Sequence, residues 1–137
     1  MNQLNHGSLE TCQRLLAAGI VLETDAIWEY DAPCSDPTDP ARNQYGEWKL
    51  VHKPYKIGQM HNRQVPAPSM AEVWRELPWY MSNYGELEVT QIADTFACGF
   101  HKGLAIREPL FTSTNPADAL IDLLIWVTEQ GKEKVSG

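Results

Sequence analysis

The chain has 137 residues, 43% hydrophobic and 21% charged, and a formal net charge of −7. That length suits one domain, burying roughly two-thirds of its unfolded surface without a metal or disulfide staple. The acidic balance excludes a general phosphate-backbone binder, which needs concentrated Lys and Arg; the longest apolar run, residues 15–22, is broken by Gly19 and too short to cross a membrane.

Residues 1–7 read as a loose polar start. Ser8 caps a helix with apolar positions at Leu9, Cys12, Leu15 and Leu16, and Gly19 is placed to end it. No basic segment precedes residues 15–22 and Glu23-Thr24-Asp25 follow them, so no secretory leader is expected. Residues 20–30 read as a strand with Ile20, Leu22, Ala26, Trp28 and Tyr30 on one face. Asp31 to Gly46 is rich in proline and turn formers and reads as a loop. Glu47 to His52 reads as a short strand around Trp48 and Leu50. Lys53 to Pro68 reads as a second long loop, and irregular stretches of this length are uncommon in compact domains and often functional.

Ser69-Met70-Ala71-Glu72 is a capping box opening a helix with Met70, Val73, Trp74 and Leu77 on its apolar face, stopped by Pro78. From Glu86 to Arg107, Leu87, Val89, Ile92, Phe96, Phe100, Leu104 and Ile106 predict two or three strands with turns near Asp94 and at Lys102-Gly103. The last helix is capped by Asn115, with Pro116 in its first position and Asp118 in its first turn. It is expected to run to about Gln130, with Gly131 ending it and residues 132–137 frayed. Its apolar surface, from Leu120 to Val127, is wider than one face on a sheet requires.

The expected class is α+β: two layers, with an antiparallel sheet of three to five strands and about three helices, in the order α-β-β-α-β-β-α. Residues 1–137 form a single domain.

Three stretches bear a resemblance. They are Ser8-Leu9-Glu10 leading to Leu15-Leu16-Ala17-Ala18-Gly19 and Trp28; Pro66-Ala67-Pro68-Ser69-Met70-Ala71-Glu72-Val73-Trp74-Arg75-Glu76-Leu77-Pro78; and Asn115-Pro116-Ala117-Asp118-Ala119-Leu120-Ile121-Asp122-Leu123-Leu124-Ile125-Trp126-Val127. Together they resemble small phage and prophage proteins of unknown function from gut bacteria, over most of the chain's element order. The resemblance implies a mobile-element origin and a bacterial cytoplasm, and carries no catalytic residues with it.

The candidates for chemistry each have a simpler reading beside them. Cys12, Cys34 and Cys98 are odd in number and lack framework spacing, as expected of free thiols in a reducing compartment. Cys98-x-x-His101 has ligand-pair spacing, but in a strand the two point to opposite faces and no second pair follows, so no metal or cofactor is expected. Asp31, Asp36 and Asp39 lack the spacing of a calcium loop. Asp118 and Asp122, one turn apart, read as the solvent stripe of the last helix. Trp28, Trp48, Trp74 and Trp126 fall on predicted core faces. Trp79, Tyr80 and Tyr84 follow Pro78 in a predicted loop and are the candidate binding residues, because exposed loop aromatics favour partner contact.

Two functions are in play. The first is a noncatalytic interaction or self-associating module, its partner another protein or a second copy meeting it through the 116–130 helix, with no nucleic acid or membrane involved. The second is a small enzyme with a site between the 31–46 and 53–68 loops, using His52, His61 or Cys98.

Overall fold

A computed structural model describes residues 6–31, 46–57, 63–102 and 105–136, with backbone alone for 105–109 and 131–136. The elements are α1 (Leu9–Ala17), β1 (Ile27–Asp31), β2 (Glu47–Val51), β3 (Gln64–Pro66), α2 (Met70–Trp74), β4 (Tyr80–Met81), β5 (Gly85–Ile92), β6 (Thr95–Lys102), β7 (Ala105–Ser113) and α3 (Pro116–Ser136). The fold is α+β, as the sequence predicts. Among the described residues the strands form two antiparallel sheets rather than one, in the orders β2-β1-β3 and β4-β5-β6-β7.

α1 begins where Ser8 Oγ accepts the Thr11 amide. It ends at Gly19, whose φ of 82° lets its amide reach Leu16 and the Ile20 amide reach Leu15, closing the last carbonyls in a Schellman turn. The predicted strand over 20–30 survives only from Ile27. Thr24 turns aside to exchange backbone hydrogen bonds with Tyr55, and its hydroxyl donates to the Ala26 carbonyl at 2.7 Å. Such side-chain bonds offer the backbone an alternative to a ladder.

The predicted 53–68 loop conceals a strand. β3 pairs with β1, setting Val65 opposite Trp28. Backbone bonds from Tyr30 to Arg63 and from Ala67 to Ala26 show that residues 63, 65 and 67 face β1. Pro66 therefore turns its nitrogen outward, where a missing N–H leaves no ladder bond unmade.

The capping box at α2 is complete: Ser69 Oγ accepts the Glu72 amide at 3.2 Å and Glu72 Oε1 accepts the Ser69 amide at 2.9 Å. β5 and β6 join at a tight turn, Ala93-Asp94, with Ala93 at φ 56°. Asn115 Oδ1 receives the Ala117 and Asp118 amides, as the N-cap reading requires. Gly131 does not end α3, which continues to Ser136. Glycine lowers helix stability but does not forbid helical backbone, so its position near the expected end was an insufficient stop signal.

The core gathers around α3. Cys12 and Leu15 of α1, Val73 of α2, Cys98 and Phe100 of β6, and Leu120, Ile121, Leu123 and Leu124 of α3 form one buried cluster. The helix packs on β6 and β7, and α1 and α2 also lie against it. This cover accounts for its wide apolar surface, leaving Ile125, Trp126 and Val127 half-buried. Among the described residues no helix is long and apolar enough to cross a membrane.

Candidate functional site

Among the described residues, the groups best suited to chemistry are built into the fold instead of gathered at a site. Cys98 donates its thiol hydrogen to the Ala119 carbonyl at 3.0 Å beneath α3, and Cys12 is buried between α1 and α3. Burial pushes both thiols up to about 12, so neither is a thiolate near neutral pH. His101 stands on the opposite face of β6, its Nε2 3.7 Å from Glu88 and 4.0 Å from Glu86. Cys98 and His101 thus do not converge, as strand alternation predicts. Among the described residues no cluster of His, Cys, Asp and Glu is arranged to hold a metal ion. His52 is exposed on the described part of its loop. His61, Cys34, Asp36 and Asp39, with residues 32–45 and 58–62 of the proposed cleft, lie outside the described residues.

Asp118 and Asp122 are not a solvent stripe. Asp118 Oδ1 accepts the Ser8 amide at 2.7 Å, and Asp122 accepts a 2.8 Å ion-paired bond from Arg14. Together they seat α1 along α3. Burial holds the Asp122 carboxyl above its ordinary value, while the Arg14 guanidinium draws it down. Helical spacing placed the two acids on one face correctly, but it could not show that another helix covers that face.

The three candidate binding aromatics divide. Leu77 is buried at the end of the α2 segment and Pro78 sends the chain outward into β4. Trp79 is 75% exposed and Tyr80 44% exposed, their rings 5.5 Å apart and tilted by 41°. They form an aromatic ledge at the start of β4, an outer strand of the four-stranded sheet. Tyr84 is half-buried and packs against the core. The turn that bonds its amide to Met81 carries its ring edge-on to Trp126 at 4.9 Å. That contact, with Phe100 beyond at 6.3 Å, explains how Trp126 is housed.

Trp74 departs from its predicted place in the core and is 46% exposed. Val73 is fully buried next to it, and α2 is only five residues long, so its narrow inward face is taken by Val73 and the following Leu77. Trp74 borders a groove of about 610 Å³ with Asp25, Met70, Arg75 and Leu120. Glu72 also lines it, its second oxygen accepting the Asp25 amide at 3.0 Å. Ile92, 67% exposed at the end of β5, is another surface apolar residue missed from sequence. Its signal was parity, since it shares a strand face with Glu86, Glu88 and Thr90.

No protein-family model, curated protein or solved structure matches the chain.

Proposed function

We propose that the chain is a noncatalytic protein-interaction module, an accessory protein of phage or prophage type acting in a bacterial cytoplasm. The observation that carries this reading is the Trp79–Tyr80 ledge. Two large aromatic side chains stand exposed together at a sheet margin, where they contribute little to the core. Aromatic residues of this kind are the usual anchors of protein interfaces, because they bury much area for few rotatable bonds. The two buried, protonated thiols support the same reading, since neither is available as a nucleophile. The resemblance in the Ser8, Pro66 and Asn115 stretches supports the phage setting and the compartment.

The test is quantitative capture from bacterial lysate, comparing the chain with a Trp79→Ala/Tyr80→Ala variant. The variant is expected to keep its thermal midpoint, as surface substitutions do, and to lose its specific partners at least tenfold. Capture of the same proteins in the same amounts by both chains would refute the reading.

A further inference from the structure

The four-stranded sheet ends in a margin that is half covered. β4 spans two residues, pairing Tyr80 with Glu86 and Met81 with Gly85, and the Leu87 amide donates to the Trp79 carbonyl at 2.8 Å. That bond fixes the parity of β5. Leu87, Val89 and Gln91 turn their N–H and C=O groups away from β6, and Glu88, Thr90 and Ile92 turn theirs toward it. Past Leu87, the outward groups of Val89 and Gln91 meet no backbone partner among the described residues. Gln91 and Ile92 are exposed, and α3 packs on β6 and β7, inboard of this margin.

Natural sheets defend open edges with charge, lysine or proline. The outer strands of the other sheet do so: β2 carries Glu47 and Lys49, and β3 carries Pro66. The open part of β5, Glu88-Val89-Thr90-Gln91-Ile92, has a single charge and no proline. An undefended edge beside an aromatic ledge has the character of a strand-addition site.

We propose that this margin is a homodimer interface, in which β5 of a second copy adds antiparallel with Thr90 opposite Thr90 and joins the two sheets into one. The proposal rests on the reading of the chain as an interaction module and names a partner for it. The open groups choose the register. Pairing about Thr90 sets Val89 of each copy opposite Gln91 of the other, and each such pair exchanges two N–H···O=C bonds. Centring on Val89 would set Gln91 against Leu87, whose amide is already given to Trp79. Centring on Gln91 would set Val89 against Ala93, which lies in the turn at φ 56°.

The side chains agree with this register. Within residues 88–92, Glu88 faces Ile92 and Thr90 faces Thr90, so no like charges oppose each other along the paired stretch of two acidic chains. On the same face, Ile92 of one copy comes to lie two positions along from Tyr80 of the other, covering the exposed apolar surface of both. The incoming strand also ends where it must. β5 turns toward β6 at Ala93-Asp94, just where β4 takes over the edge.

The test is light scattering on the full chain over a range of concentrations. The wild type is expected at twice the chain mass. Thr90→Lys and Thr90→Glu are each expected at the chain mass with an unchanged circular dichroism spectrum, and their equimolar mixture at twice the chain mass again. Gln91→Pro, which removes an outward N–H and, inside the chain, only the exposed bond from the Gln91 side chain to the Ala93 carbonyl, is expected to be monomeric. A wild type that stays at the chain mass would overturn the dimer, while leaving the Trp79–Tyr80 capture assay to judge the broader reading. A dimer that survives both Thr90→Lys and Gln91→Pro but is split by Ile125→Glu would overturn it too, moving self-association to α3. Should the charged variants unfold, Thr90→Cys decides the matter. Opposed residues of a non-hydrogen-bonded pair lie about 4.5 Å apart at Cα, within disulfide reach. Mild oxidation is then expected to give a dimer crosslinked through the introduced thiol, and its absence would overturn the proposal.

Discussion

Glu72→Gln separates two duties that one side chain performs. Glu72 is 9% exposed, and its two oxygens receive different amides, Ser69 at 2.9 Å and Asp25 at 3.0 Å. The first bond closes the capping box; the second ties the start of α2 to the chain entering β1. Glutamine also serves in capping boxes, so the first duty survives the substitution. A glutamine offers one acceptor oxygen and one NH₂ donor. Its NH₂ must then face one of the two amides, leaving a part-buried donor unpaired. Losing a hydrogen bond to a charged group costs about 1.5–3 kcal/mol. Ser69→Ala removes only the reciprocal cap, at about 1 kcal/mol. Urea unfolding at neutral pH should therefore rank Glu72→Gln as more destabilising than Ser69→Ala, with Glu72→Ala worse than either. A Glu72→Gln midpoint corresponding to less than about 0.5 kcal/mol of lost stability, the range of an inert surface change, would show that the Asp25 tie contributes nothing.

Gly131→Ala tests the length of α3: inside a helix it should stabilise by about 0.5–1 kcal/mol, whereas at a left-handed helix stop it would destabilise, and thermal melts give the sign. Asp122 supplies a pH dependence. Because burial raises its folded carboxyl above the ordinary 3.8, folding takes up a proton between the two values, and this residue's contribution to stability should fall as pH rises through that window. Urea midpoints against pH should lose this downward component in Asp122→Asn; a component that rises with pH would mean that the Arg14 ion pair outweighs desolvation.

Local chemistry was legible in the sequence wherever a feature completes itself within a few residues. The Ser69–Glu72 box, the Gly19 stop, the Asn115 cap and the Ala93-Asp94 turn all satisfy their own backbone groups, so neighbours suffice to read them. What needed a distant partner was hidden. β3 has too few residues for alternation to show, and its proline is tolerable only because β1 lies on the other side. Thr24 leaves its strand because Tyr55 is there to receive it. Asp118 and Asp122 look like solvent-facing acids until α1 is laid across them. Of the candidate aromatics, adjacency placed Trp79 and Tyr80 together at the surface. The packing of Tyr84 was hidden because its partner, Trp126, lies on another element.

The seam between α1 and α3 also orders events in time. Ser8 bonds to Asp118 across 110 positions of sequence and Arg14 to Asp122 across 108. Contacts so far apart reward the chain only after a long loop has closed, which slows folding. On a ribosome, α1 emerges long before residues 116–136, the surface on which much of its apolar side settles. Cys12 and Leu15 stay uncovered through that interval, and a single late docking step encloses them. A nascent chain stalled before Pro116 would therefore bind holdase chaperones, and release from them would coincide with synthesis of the last helix.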